Sequence, residues 1–274
     1  MNVVTLLVSD NRLDIQRWSD YIRTYDREPS MVPGWDMVGL GQPVVVPTMT
    51  LEAVLQQLVL AAARMPLYPT ALIYTHGNPD SLYWLMTEGG FDVSTELLRF
   101  LANVRDWLVK LRNLWPRRGE AAPMAEIRKV FFEMQGYLRE RFPNRANALP
   151  DITKVHDRHG AEQWLSQCLD AMAKVCLGQS KGEADLRRIA NLAEQVGDSG
   201  FERLEARACN VGKDPDHLAA VRHLFQVKFV VAPTVTFFCG KAATFVDGRA
   251  FSYLEKHLGG YRNTISAPDG RTFS

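Results

Sequence analysis

Residues 203–233 read RLEARACNVGKDPDHLAAVRHLFQVKFVVAP, and the order of elements in this stretch decides the fold class. Together with Phe201 and Glu202 its first part alternates in part between apolar and polar residues, which predicts a strand over Phe201–Ala208 ending at Cys209. Asn210-Val211-Gly212 supplies a turn, with Gly212 expected to allow the tight passage from strand to helix. Asp214 or Asp216 then starts a short helix, and Val227–Val231 is a further strand closed by Ala232 and Pro233.

The same alternation of periods runs through the first 75 residues. Val3–Val8 (VVTLLV) is a short, almost wholly apolar run that reads as a buried strand. Leu13, Ile15, Trp18, Tyr21 and Ile22 predict an amphipathic helix from Asn11 to about Tyr25, capped by Ser9, Asp10 or Asn11. Residues 29–43, rich in Pro and Gly, read as loop, and Pro43–Pro47 encloses a minimal strand. Thr50 caps an apolar helix with Glu52 in its first turn, and Thr70–Thr75 (TALIYT) is a third strand that delivers His76-Gly77. Uninterrupted apolar strands alternating with helices predict an α/β fold: a mostly parallel sheet with helices on both faces.

Between these two blocks the character changes. Leu97, Leu98, Leu101, Val104, Leu108, Leu111 and Trp115 recur at helical spacing, and helices are expected over about 124–142, 160–177 and 184–196. The expectation is an α/β domain formed by 1–94 and 198–274, interrupted by a helical insertion over 95–197 whose apolar stripes form a core. After Pro233, Thr234–Phe238 reads as another strand or hairpin arm ending at Cys239, and Gly248–Leu258 as a last helix stopped by Gly259-Gly260. The stretches 29–43 and 77–94 read as loops flanking the strand ends.

Bulk composition narrows the function. With 46% hydrophobic and 23% charged residues the 274-residue chain is a folding sequence, not a disordered one. A net charge of +1, from 32 basic and 31 acidic residues, argues against nucleic acid or an anionic membrane as partner. The N-terminus lacks the basic segment and cleavage site of a signal peptide, and no apolar run spans a membrane, so a cytoplasmic location is expected, with specialised secretion left open. Four unpaired-looking cysteines (Cys168, Cys176, Cys209, Cys239) read as thiols, with Cys168 and Cys176 structural.

Functional groups of open α/β sheets gather beyond the carboxyl ends of strands, and two such ends here carry reactive side chains. One gives His76-Gly77 and the other Cys209. Histidine takes a thiol proton, and the thiolate is the competent nucleophile. Gly77 offers a backbone N–H, along with that of Cys209, to a developing oxyanion. Cys209 also precedes a helix start, where the dipole favours a thiolate. Cys239, again before a Gly, is the rival nucleophile, although KAATFVDG after it gives no immediate helix and strand. His156 and His159 lack a third ligand of telling spacing, no phosphate-binding Gly-rich loop is present, and no cofactor is expected. The His217 and His223 side chains are expected on a surface or in packing, and the Arg117-Arg118 and Arg187-Arg188 pairs on solvated faces.

The segments ALIYTHGNPDSLYWL (71–85) and RLEARACNVGKDPDHLAAVRHLFQVKFVVAP (203–233) resemble the caspase-like cysteine peptidases (clan CD) over about 1–94 and 198–260. A strand ending in His-Gly, then a strand ending in Cys with a small residue before it and a Gly shortly after, followed by helix and strand, is that family's order. The resemblance implies a cysteine endopeptidase acting on protein or peptide, with His76 as general base, Cys209 as nucleophile and Gly77 as oxyanion donor. The 133 positions from His76 to Cys209 exceed the spacing of a compact member, and the helical insertion accounts for the excess. Two other readings stand beside this one: a catalytically inactive caspase-like module whose insertion binds a protein partner, and a small-molecule-binding α/β domain.

Overall fold

Strand β1 (Val3–Leu7) is buried at all five positions, as a strand sandwiched between two layers must be. The computed structural model describes residues 3–25, 43–64, 70–79, 81–115, 123–141, 143–147, 149–233, 261–266 and 272–273. Helix α1 (Arg12–Tyr25) follows β1, and Asn11 is its cap: Asn11 Oδ1 accepts the Leu13 N–H at 2.9 Å, while Ser9 Oγ accepts the Asn11 N–H at 3.1 Å. After the two-residue strand β2 (Val44–Val45), helix α2 (Leu51–Ala62) starts where Thr50 Oγ1 accepts the Ala53 N–H at 3.2 Å. Strand β3 (Thr70–Tyr74) is again buried throughout.

The expected loop over 77–94 is instead a small antiparallel sheet of three strands, β4 (Gly77–Asn78), β5 (Ser81–Leu85) and β6 (Asp92–Ser94). In β5 the side chains alternate, Leu82 and Trp84 buried and Tyr83 exposed, so the period of two was present between turn-forming residues. Helices α3 (Thr95–Leu114), α4 (Met124–Arg141), α5 (Pro143–Ala146), α6 (Arg158–Cys176) and α7 (Glu183–Asp198) follow. Strand β7 (Arg203–Arg207), helix α8 (Pro215–Phe225) and strand β8 (Phe229–Pro233) return to the main sheet, with Asp214 capping α8. Strands β9 (Tyr261–Ser266) and β10 (Thr272–Phe273), not foreseen from the sequence, complete it.

The main sheet runs β10-β9-β8-β7-β3-β1-β2. Its five strands β8, β7, β3, β1 and β2 are mutually parallel, and β9 is antiparallel to β8. The fold is therefore α/β with a mostly parallel sheet flanked by helices, as expected. From β1 to β2 the chain moves one way across the sheet, and from β2 to β3 it moves back. By the right-handed rule for parallel crossovers, these opposite directions call for α1 and α2 on opposite faces. The expected strand over Thr234–Phe238 with Cys239, the helix over Gly248–Leu258 with its Gly259-Gly260 stop, Arg117-Arg118 and nearly all of the 29–43 loop lie outside the described residues.

The chain divides into two compact units. One, Met1–Glu88, Asp92–Arg99 and Leu192–Ser274, holds both sheets. The other, Gly89–Phe91 and Phe100–Asn191, is helical, and its apolar stripes are its core: Phe131 stacks on Trp164 at 4.3 Å, and Phe100 and Trp107 flank Tyr137. Cys168 and Cys176 are buried on α6. Arg187 and Arg188 pair with Glu183 and Asp185 on their own helix.

A charged network lies inside the sheet-bearing unit. Arg207 Nε donates to Glu205 Oε1 and Arg207 Nη1 to the Tyr74 hydroxyl, both at 2.9 Å, with Glu205 0% and Arg207 3% exposed. Truncating one partner strands a buried charge. Glu205→Leu is expected to cost about 3–5 kcal/mol, read as a lowered midpoint of urea unfolding, and Glu205→Gln, which keeps an acceptor for Arg207, is expected to cost less.

Candidate active site

Parallel pairing of β3 with β7 matches Thr70 with Arg203 and ends with Tyr74 opposite Arg207. The Thr75 N–H then donates to the Arg207 carbonyl at 3.3 Å, so the two chains leave the sheet in step. His76 lies two residues beyond Tyr74, and Cys209 two beyond Arg207. The two residues singled out in the sequence thus sit at the carboxyl ends of neighbouring strands, the edge at which α/β proteins place their chemistry.

His76 is held at its backbone and on one side of its ring. Its carbonyl accepts the Tyr83 N–H at 3.1 Å, and the residue before it is anchored by a buried bond from Trp84 Nε1 to Thr75 Oγ1 at 2.7 Å. The ring of Trp18 lies 5.3 Å from the imidazole. His76 Nε2 lies 2.9 Å from Asp14 Oδ2, a carboxylate of the first turn of α1. Arg17 Nη1 stands 3.9 Å from the other oxygen of that carboxylate. Neither Asp14 nor the contact of Trp18 with the histidine was foreseen. Asp14 reads in the sequence as an ordinary first-turn acid, and its only further signal is position: it follows the end of β1, and β1 lies beside β3.

Cys209 is half-buried, whereas Cys168 and Cys176 are buried and their thiols are pushed up, Cys168 to about 12. Burial in apolar surroundings keeps those two protonated and unreactive. The turn after Cys209 differs from expectation in two respects. The residue in the left-handed region is Asn210 (φ 60°), and Gly212 instead lies within a 3-10 turn over Val211–Lys213. Asn tolerates that region better than other side chains do. Helix α8 begins at Pro215, six residues beyond Cys209, with the 3-10 turn between them.

Gly77 is fixed by close approach. A Cβ on it would stand 2.6 Å from Val211 Cγ2 and 3.1 Å from both Ala208 Cβ and the Ser81 carbonyl. Only glycine lets the His76 strand pass so near the residues around Cys209. Gly77 pairs with Leu82, and Asn78 with Ser81, in the β4–β5 hairpin. The Tyr83 N–H to His76 carbonyl bond makes the next pair the hydrogen-bonded one, so alternation leaves the Gly77 N–H outside the ladder, directed away from β5.

Among the described residues no group of three His, Cys, Asp or Glu side chains is arranged to hold a metal ion, and no helix is long and apolar enough to cross a membrane. His217 is buried on α8, its Nδ1 2.9 Å from Thr95 Oγ1, which makes it a packing residue. The site brings together His76, Gly77 and the Cys209 turn, and adds Asp14 and Trp18. No protein-family model, no curated protein and no solved structure matches the chain.

Gly77→Ala is expected to displace the Cys209 turn and to lower stability by about 1–3 kcal/mol, the cost of an overpacked methyl group, as read by thermal unfolding. Native alkylation with iodoacetamide at pH 8, mapped by mass spectrometry, is expected to modify Cys209 and to leave Cys168 and Cys176 unmodified until the chain unfolds.

Proposed function

We propose that this chain is a cysteine endopeptidase of the caspase-like type, with Cys209 as nucleophile and His76 as general base. The observation that carries the reading is the register of β3 on β7, which ends both strands in step beneath a histidine whose ring is oriented and a thiol that is half-buried. The resemblance of 71–85 and 203–233 to that family adds to it.

The chemistry follows from these parts. His76 takes the thiol proton, and the thiolate attacks the scissile carbonyl carbon, forming a C–S bond and a tetrahedral oxyanion. The Gly77 N–H, free of the hairpin ladder, and the Cys209 N–H hold that oxyanion. The imidazolium gives its proton to the leaving amine as the C–N bond breaks, which leaves a thioester. Water, deprotonated by His76, attacks the thioester; the acid product leaves and the thiol is regenerated. Each step needs one proton carrier and one anion site, and none calls for a bound cofactor.

The test is labelling by a library of peptide acyloxymethyl ketones, which alkylate a catalytic thiolate. Labelling is expected in the wild type, none in Cys209→Ala, and a rate lowered by about 100-fold or more in His76→Ala, within the range attributed to general base catalysis. Labelling that survives Cys209→Ala and vanishes in Cys239→Ala would transfer the nucleophile to Cys239. No labelling of a folded wild type by any member of the library would favour the inactive interaction module.

A further inference from the structure

We infer that Asp14 is the positioning residue of this site, fixing the tautomer of His76, and that helix α1 is the clamp that delivers it. The inference rests on the reading of His76 as a base. It concerns the one group that decides which ring nitrogen does the work.

The chemistry is set by the acceptor. A carboxylate has lone pairs and no hydrogen, so the bond of 2.9 Å between Asp14 Oδ2 and His76 Nε2 requires the hydrogen on Nε2. In the neutral ring the lone pair is then on Nδ1, and Nδ1 is the nitrogen that takes a thiol proton. When Nδ1 gains that proton, the imidazolium forms beside a negative charge already in place, which is how an orienting carboxylate assists a catalytic histidine.

Three features show that the contact is built. Asp14 and Trp18 are four residues apart on α1, so they share a face, and both touch the same ring, one at its edge and one at 5.3 Å between centroids. Asp14 is itself held: its backbone N–H donates to the Asn11 carbonyl at 3.1 Å in the capped first turn, and Ser9 Oγ donates to its Oδ2 at 3.5 Å. The Asp14 side chain is 15% exposed against 43% for His76, so the acceptor lies behind the ring that it orients.

Asp14→Asn separates this role from packing. The carboxamide occupies the same space but is neutral and offers an NH2 donor beside its acceptor oxygen, so Nε2–H is no longer enforced and the tautomer with its hydrogen on Nδ1, the wrong one for a base at Nδ1, becomes accessible. Two measurements on the full-length protein decide the matter. Long-range 1H–15N correlation of the His76 ring, assigned with His76→Gln, is expected to show the Nε2–H tautomer in the wild type and its loss in Asp14→Asn, with the amide spectrum elsewhere unchanged. With the acyloxymethyl ketone that labels Cys209 fastest, the limiting rate of labelling is expected to fall by about 100-fold or more in Asp14→Asn, in line with loss of an orienting aspartate. The concentration for half-maximal rate should stay within about threefold, because substrate contacts are not touched. Asp14→Glu, which keeps a carboxylate, should recover part of the rate.

A wild-type ring with its hydrogen on Nδ1, a ring spectrum identical in Asp14→Asn, or equal labelling rates in the two proteins would overturn the inference. Failure of the peptidase reading looks different. The tautomer would respond to Asp14→Asn as expected, while no reagent of the library labelled Cys209 in either protein.

Discussion

The site depends on one constraint, the in-register parallel pairing of β3 with β7. Tyr74 and Arg207 are 133 positions apart in the chain and adjacent in the sheet. A slip of one residue would turn every side chain of β7 to the other face and take Cys209 out of step with His76. The pairing is pinned from both faces of the problem. Ladder bonds fix the backbone, and on one sheet face Arg207 reaches Tyr74 across the register while binding Glu205 on its own strand. The Glu205–Arg207 pair lies within β7, and only with Tyr74 opposite Arg207 does the Tyr74 hydroxyl accept from Nη1, so this one buried bond adds to the specification of the register.

Closing so long a loop is less costly than its length implies. Each doubling of a flexible loop adds only about 0.6 kcal/mol to the closure entropy. Here much of the intervening chain belongs to a helical unit with its own aromatic core around Phe131, Trp164 and Tyr137. A segment that folds on its own contacts does not behave as a flexible tether. It can therefore lie between two strands of a parallel sheet without disturbing their register.

The sheet was legible in the sequence because its strands are short apolar runs bounded by turn residues. Val3–Leu7, Thr70–Tyr74 and Phe229–Pro233 each advertise burial on both faces. His76 was legible for the same reason, as a polar residue that ends such a run, and Cys209 as the residue that ends a strand of partly alternating pattern. The small sheet over 77–94 was not, since its strands of two, five and three residues are separated by Pro, Asp and Gly, which outweigh the alternation of Leu82, Tyr83 and Trp84. The tight turn after Cys209 was credited to Gly212, whereas the residue in the left-handed region is Asn210. Asp14 was hidden more deeply. Acids are favoured in any first helical turn by the helix dipole, and what makes this one a neighbour of His76 is strand order, β1 beside β3, which local pattern does not encode.

Exposure separates the Asp14–His76 contact from an ordinary surface ion pair. Exposed pairs join two wet, mobile side chains and contribute little, because water competes for both. In this site the two ends differ: the carboxylate is mostly covered, and the imidazole keeps 43% of its side chain open. Covering the acceptor reduces its competing bonds to water, and leaving the ring open keeps one edge of it accessible. Trp18 limits the ring's tilt from α1, and Tyr83 fixes the backbone from β5. The ring is thus restrained by two neighbours from α1 and its backbone by β5, while part of the ring faces solvent. Such restraint has little value for stability at an exposed position, but it is what a proton-transfer group requires, since its lone pair must point in one direction before the reacting atoms arrive.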